Sequence, residues 1–454
     1  MKFIDETDFT EIFNSIRDLI EKKNQGVLLN LLIDLHPADI ADFLNELRKD
    51  ERKYIFSLLP TEKASAVLTE LDSPIVDQIL EDVSEKKLSI LVDKMESDDA
   101  ADIISELPHD VAQSILEQIP DKISEEVKEL LTYDEDTAGG IMALEYVAVN
   151  EKSTVNETIK VIRKLRKKVK TVHTIWVVSD KDELKGSVSL TELVLAKGKT
   201  SISKILNTDI KFVYTDMDQE EVALLFRKYD LVSLPVVNAL KQLVGEITID
   251  DIIDVVDDEA SEDISIFAGV SDSEIQEYSF LKISWVRLPW LMVAFVGQLV
   301  AAFVIQQFET TISEIIALTF FMPVIMAMGG NSGIQSSIII IRGMATGEIS
   351  VESTWRRFFR ELRVSLFIGL MFGLMMTLIV GLWLSNFLIG ILIGITLNIV
   401  ILQATLFGGI IPFLLKRADV DPALASGPFI TTFNDILGLL IYLAIITAFI
   451  PNIL

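Results

Sequence analysis

Asp435 is the only residue charged at neutral pH in the last of five hydrophobic segments, within Thr431-Thr432-Phe433-Asn434-Asp435-Ile436-Leu437-Gly438. A carboxylate at membrane depth costs about 2.5 to 3.5 kcal/mol on insertion scales, and residues kept there mark ion pathways. Thr431, Asp435, Gly438 and Tyr442 follow the i, i+4, i+7, i+11 spacing, which predicts one polar stripe lining a cavity or an interface. Oxygen ligands, amides and carbonyls without His or Cys suit a hard cation. Mg²⁺ keeps several waters and is held by one or two carboxylates, whereas Ca²⁺ takes about six to eight oxygens. One Asp per chain, doubled in a symmetric pair, fits hydrated Mg²⁺; the same chemistry also admits Mn²⁺ or Co²⁺. The bland alternative is a protonated Asp435 in a structural contact with Asn331 or Gln403.

Around those segments the chain falls into two compositional halves. From Trp285 onward there are eight basic and eight acidic residues, so the whole formal charge of −27 belongs to residues 1 to 284. That balance excludes a nucleic-acid-binding surface and favours cationic partners. Cysteine is absent, which excludes a thiolate metal site, and the three histidines are scattered, which counts against an imidazole cluster. Met1 to Thr10 carries three acids and no long apolar run, and no cleavable signal peptide is expected. The hydrophobic segments, approximately 286 to 306, 315 to 341, 363 to 384, 387 to 414 and 428 to 450, each match the roughly 20 residues a bilayer requires. Arg287 stands at the very start of the first segment, and the other seven basic residues lie in the 342 to 363 and 415 to 427 loops. The positive-inside rule then predicts a cytoplasmic N-terminus and an external C-terminus.

Pro323, the Gly329-Gly330-Asn331 run, Gly333 and Gln335 mark the second segment. A Pro and a Gly-Gly pair predict a broken helix whose freed carbonyls face protein or a water-filled path. Against this, Gly329, Gly333 and Ser337 are spaced by four, as helices need for close packing. In the third segment Gly369, Gly373, Thr377 and Gly381 repeat that spacing with no ionisable neighbour, and packing is the reading there.

Two internal repeats organise the soluble half. Residues 27 to 131 repeat every 23 to 24 residues, with copies opening at Pro37, Pro60, Ser84 and Pro108, and read as short helices stacked into a superhelix. Residues 174 to 193 match 233 to 252 at an offset of 59, each unit being helix, strand, Gly-containing turn, strand, helix, and look like a tandem pair of cystathionine-beta-synthase-type (CBS) domains. Such pairs commonly bind regulatory ligands. Thr248 with Asp251 resembles the ribose-contacting pattern of nucleotide-binding pairs, although a helix N-cap explains the two residues equally well. Two acid clusters stand out: Asp98, Asp99 and Asp102, and the run Asp250, Asp254, Asp257, Asp258, Glu259, Glu262 and Asp263 on a helix leading towards the membrane. Like charges one turn apart destabilise a helix, and bridging cations relieve the repulsion.

The run Pro323 to Ser337, the loop Asp421 to Pro428 and the segment bearing Asp435 resemble the MgtE family of bacterial magnesium transporters and channels, and the soluble parts occur in that family's order. The resemblance implies a multi-domain membrane protein: an α-helical superhelical domain at 1 to 135, an α/β CBS pair at 136 to 260 (divided near 200), a connecting plug helix and linker at 249 to 280, and a five-helix transmembrane domain at 281 to 454. It implies a homodimer in lipid at the bacterial cell membrane, with Mg²⁺ as substrate and regulator. Asp435 would be the main cation-attracting residue, with Asn331, Thr431 and Gly427 along the pore; some members carry Asn where this chain has Gly427, leaving a backbone carbonyl there. ATP at the CBS pair is the further cofactor expected. The acid clusters would be neutralised by plentiful internal Mg²⁺, drawing the helical array onto the CBS pair and holding the plug closed. The alternatives are a Mn²⁺ or Co²⁺ transporter of the same architecture and a non-conducting membrane-anchored nucleotide or ion sensor. No nucleophile and base pair, phosphate loop or catalytic metal cluster appears, so no enzyme is expected.

Overall fold

The computed structural model describes residues 6–81, 83–166, 169, 171–268, 270, 280–345, 351–418, 420, 422 and 427–449. The chain forms two compact units, Met1–Val256 and Asp257–Leu454.

The first unit opens with α1 (Glu6–Glu21), α2 (Gln25–Asp34), α3 (Pro37–Glu46), α4 (Lys49–Leu58), α5 (Thr61–Leu68), α6 (Ser73–Leu80), α7 (Glu85–Val92), α8 (Ser97–Ser105), α9 (His109–Gln118) and α10 (Asp121–Leu130). The four repeat copies start α3, α5, α7 and α9, so each repeat is a pair of short helices. Pro37 occupies the first turn of α3, and Pro60 and Pro108 stand just before α5 and α9, where a missing N–H does no harm. At α7 the Ser84 hydroxyl caps the helix by accepting the N–H of Lys87 at 3.3 Å. Helix α3 packs on α5, α5 on α7 and α7 on α9, while α4 packs on α6 and α8 on α10. The pairs therefore stack in two rows as a superhelix, with Ile40, Leu44, Ile55, Leu68, Leu91 and Ile104 buried between them.

The CBS pair follows. Its first repeat comprises β1 (Ala148–Asn150), α11 (Val155–Leu165), β2 (Thr174–Val178), β3 (Leu184–Ser189) and α12 (Leu190–Leu195); its second, β4 (Val213–Tyr214), α13 (Gln219–Tyr229), β5 (Ser233–Val237), β6 (Leu243–Thr248) and α14 (Ile249–Ala268). Each sheet holds a leading strand parallel to the next, β1 on β2 and β4 on β5, in addition to the antiparallel hairpin. At three and two residues, β1 and β4 are too short for an alternating pattern to show, and the repeat unit gains a strand over the sequence expectation. The offset of 59 survives in detail. The hairpin register shifts at Val177/Val178 and again at Val236/Val237. Asp182 and Lys241 take left-handed φ values of 61° and 60° in the two turns. Equivalent residues even meet, the Ser233 hydroxyl donating to that of Thr174 at 2.9 Å. The core of the helical array runs on into the second repeat through Ala138, Met142, Val213, Phe226, Val236 and Ile252, whereas the first repeat closes its own core around Val149, Ile175 and Val188.

The second unit contains α15 (Phe280–Gln307), α16 (Glu309–Glu314), a 3-10 turn at Ile316–Phe320, α17 (Met322–Ala345), α18 (Val351–Trp383), α19 (Phe387–Arg417) and α20 (Gly427–Phe449). Five of its segments are long and apolar enough to cross a membrane, Phe280–Gln307, Ile316–Met344, Arg356–Trp383, Phe387–Arg417 and Gly427–Phe449, which makes this a multi-pass membrane protein. Helix α19 is central; α17, α18 and α20 all pack on it.

The expected break in the second segment is corrected. Helix α17 runs unbroken through Gly329, Gly330 and Asn331, and the irregular backbone is confined to the 3-10 turn ahead of Pro323, which lies in the first helical turn. An interior glycine costs a helix about 1 kcal/mol relative to Ala, and close packing offsets it. A Cβ at Gly329 would stand 3.0 Å from Val400 Cγ1, one at Gly333 would strike the Asn434 amide, and one at Gly408 would stand 3.0 Å from the Gly333 Cα. The third segment is likewise a packing face, its Gly369 and Gly373 lying against Asn398 and Gly394 of α19. Gly408→Leu is expected to destabilise the unit by about 1 to 3 kcal/mol or more, since backbone stands in the way. An unchanged thermal midpoint of the purified variant in detergent would count against this packing.

Candidate functional site: a carboxylate between three apolar helices, and buried acids in the soluble unit

The Asp435 side chain is half-buried on α20. Its Oδ2 accepts the Gln298 Nε2–H of α15 at 2.8 Å. Its Oδ1 faces α17: a Cβ on Gly330 would stand 3.9 Å from that oxygen and 3.4 Å from Thr431 Cγ2. Glycine at 330 thus lets α17 pass close to the carboxylate, and the next residue, Asn331, is exposed. The Thr431 hydroxyl donates to the carbonyl oxygens of Gly427 and Pro428, at 2.7 and 3.1 Å. With its proton committed to the helix backbone, that hydroxyl offers only lone pairs outward, the polarity a cation or its water requires. The structure therefore brings Thr431, Asp435 and Gly330 together. Gly427 is buried, and its carbonyl already serves Thr431. Of the loop Asp421 to Ser426, all but Pro422 lies outside the described residues.

The polar stripe divides rather than lining one surface. Gly438 packs against Val400, and Tyr442 is fully buried with its hydroxyl donating to the Leu318 carbonyl at 3.0 Å. A phenol inside an apolar bundle needs a partner, and the Leu318 carbonyl of the 3-10 turn, which also accepts the Phe321 N–H, supplies its second lone pair. Among the described residues Asp435 bonds neither Asn331 nor Gln403, the contacts that the bland structural alternative required. Gln403 instead donates to Asn434 Oδ1 at 2.9 Å, joining α19 to α20. Asn434, at 1% exposure, went unassigned in the sequence, although an amide beside Asp435 was a visible signal, and Gln403, weighed there as a partner for Asp435, serves Asn434 instead. Gln298 carried no such signal, being one polar residue in an apolar segment.

In the first unit, Asp98 is buried at the start of α8, and its Oδ1 has no hydrogen-bond partner among the described residues. Burial first, then the charges of Asp99 and Asp251, holds its carboxyl well above the ordinary range. Burial likewise lifts Asp251 to about 6, assisted by Asp250 and Glu96, against the hydrogen bonds from Thr248. Partial burial and then Glu135, Glu106 and Asp251 raise Asp102; its side chain remains exposed, which leaves it the weaker contributor. Asp251, expected to serve a nucleotide, is thus tied electrostatically to Asp98 and Asp102. Its Oδ2 accepts both the Thr248 N–H at 3.0 Å and the Thr248 hydroxyl at 2.8 Å, the capping arrangement that the sequence also allowed. The Thr248 hydroxyl also meets Asp250. Glu145, which the sequence did not single out, fastens α8 to the CBS pair by accepting from the Ser97 N–H and hydroxyl at 3.2 and 2.6 Å. On α14, Asp250, Asp254, Asp257, Asp258 and Glu262 are exposed, and Glu259 and Asp263 half-buried, as is Asp99 on α8. Among the described residues no three His, Asp or Glu side chains form a ready-made metal cage.

The MgtE intracellular N domain matches residues 35–136, two CBS domains match 138–199 and 202–258, and the family described as divalent cation transporter, MgtE, matches 322–445. The magnesium transporter MgtE of Thermus thermophilus is 35% identical over 437 residues, covering 95% of this chain and 97% of its own. That of Bacillus subtilis is 33% identical, covering 93% and 94%. The crystal structure of the cytosolic domain of the Mg²⁺ channel MgtE in complex with ATP superposes with a TM-score of 0.51 at 34% identity, covering 54% of this chain and 99% of that one. Similarity along nearly the whole length, in one domain order, establishes that the chain belongs to the MgtE family.

Proposed function

We propose that this chain conducts Mg²⁺ into a bacterial cell as a homodimer in the cell membrane, with its N-terminus cytoplasmic and its C-terminus external. The observation that carries the reading is the half-buried Asp435 carboxylate, flanked by Thr431 lone pairs and by the glycine that admits α17. Asn331, Thr431 and the Gly427 carbonyl line the path beside it. A single carboxylate per chain without a cage suits an ion that keeps its water. Relatives named magnesium transporters support this choice of ion.

Internal Mg²⁺ closes the path. The orphaned Asp98 oxygen and the raised carboxyls of Asp251 and Asp102 fit a site that is costly when empty of cations and relieved by them. Asp99 on α8 adds to that acidic surface, and Asp250, Asp254, Asp257, Asp258, Glu259, Glu262 and Asp263 give α14 an acidic face suited to a plug role. ATP occupies the CBS pair, as in the related cytosolic domain, with Asp251 Oδ1 as an acceptor for a ribose hydroxyl.

Purified protein in liposomes is expected to take up Mg²⁺ down its gradient, with Mn²⁺ and Co²⁺ competing weakly. Preferred uptake of Mn²⁺ or Co²⁺ would reassign the cargo, and no uptake of any of the three would favour a non-conducting sensor.

A further inference from the structure

We propose that Gln298, on the first membrane-crossing helix, is a positioning and selectivity residue for the cation at Asp435. The inference rests on the reading of Asp435 as the cation-attracting group. Two observations place Gln298 in this role. Its amide donates to Asp435 Oδ2 at 2.8 Å. The crossing that makes this possible is built in: Gly297 and Ala301, four apart on α15, are both buried, and a Cβ at Gly297 would collide with Thr432 on α20, already standing 3.3 Å from its Cβ. The small residue at 297 brings α15 against Thr432, and the next side chain along then reaches the carboxylate three residues further on α20. Small residues spaced by four serve close helix approach, and the hydrogen bond fixes its rotation.

The chemistry follows from which oxygen is left. With Oδ2 engaged by an N–H, Asp435 presents one oxygen, Oδ1, towards α17 and the side of Thr431. One oxygen suits a cation that retains its waters. Ca²⁺ takes carboxylates bidentately as well as through one oxygen, and the Gln298 N–H, occupying a lone pair of Oδ2, weakens that second contact. The bond also settles the side chain among its rotamers before an ion arrives. Outer-shell partners of this sort commonly change metal affinity by about 10- to 100-fold when removed.

The test is Mg²⁺ uptake by the full-length protein in liposomes, with and without Ca²⁺. Gln298→Leu is expected to raise the half-saturating Mg²⁺ about tenfold and to increase Ca²⁺ uptake relative to Mg²⁺. Gln298→Asn, one methylene shorter, is expected to do the same, and the pair Gln298→Asn with Asp435→Glu, which moves the methylene across the contact, to recover most of the affinity. A merely structural role for Gln298 predicts no such recovery, and neither does a misfolded Leu variant. Loss of uptake in Asp435→Ala alongside wild-type half-saturation and Ca²⁺ exclusion in both Gln298 variants would overturn this proposal alone. Normal uptake in Asp435→Ala would instead remove the reading beneath it.

Discussion

Asp435→Ala is expected to lower Mg²⁺ uptake into liposomes by at least tenfold, towards the rate of protein-free vesicles. Two opposite charges about 4 Å apart attract by on the order of 4 kcal/mol at the effective dielectric constant of a protein surface, and about 1.4 kcal/mol is a factor of ten. Much of that attraction offsets the loss of bulk water around the ion, which explains why one charge suffices and why its removal is so damaging. Asp435→Asn is expected to fall nearly as far, because it keeps shape and hydrogen-bonding atoms but not charge. Neither variant is expected to lose stability: a carboxylate at membrane depth is itself unfavourable, so the thermal midpoint stays or rises. Uptake near the wild-type level in both variants would remove Asp435 from the path.

Replacing Asp98, Asp99, Asp258 and Glu259 together by Ala is expected to raise influx at high internal Mg²⁺ to nearly the level seen when internal Mg²⁺ is low. Moving a two-state equilibrium from mostly open to mostly closed takes about 5.5 kcal/mol of differential binding, whereas a single effector typically couples by about 1 to 3. Several ions must act together, hence several carboxylates. The ion closes the path only through tighter binding to the closed arrangement, so removing its ligands removes the response. Closure in the variant at unchanged internal Mg²⁺ would contradict this.

The same acids set a pH dependence. Asp98 and Asp251 have raised carboxyls in the docked arrangement, Asp251 to about 6. Docking stability is therefore fully present below the ordinary carboxylate range and lost as pH rises through about 6. Without Mg²⁺, the helical array of the wild type is expected to resist protease at pH 5 and to become sensitive at pH 7.5; added Mg²⁺ restores resistance at pH 7.5.

The helical array was legible because its openings at Pro37, Pro60, Ser84 and Pro108 recur with fixed spacing, and a stack of such units has one solution. The CBS pair was legible because the 59-residue offset repeats a whole supersecondary unit. Asp435 was legible because a charge in hydrocarbon is rare. What escaped is tertiary. Gly329-Gly330 read as a break, yet a glycine frees backbone only if nothing packs on it, and Val400 does. Tyr442 shared a helical face with Asp435 by spacing alone, while the 3-10 turn at Leu318 drew its hydroxyl into the core. Gln298 and Glu145 matter through partners 137 and 48 residues away, a relation that no local pattern contains.

Current through purified wild-type protein in a membrane patch, carried by Mg²⁺ while Mg²⁺ on the cytosolic face is stepped from micromolar to about 10 mM, tests the central claim most directly. A Mg²⁺ current is expected at low cytosolic Mg²⁺, falling steeply and reversibly as cytosolic Mg²⁺ rises. A current indifferent to that step, or no Mg²⁺ current at any level, would contradict it.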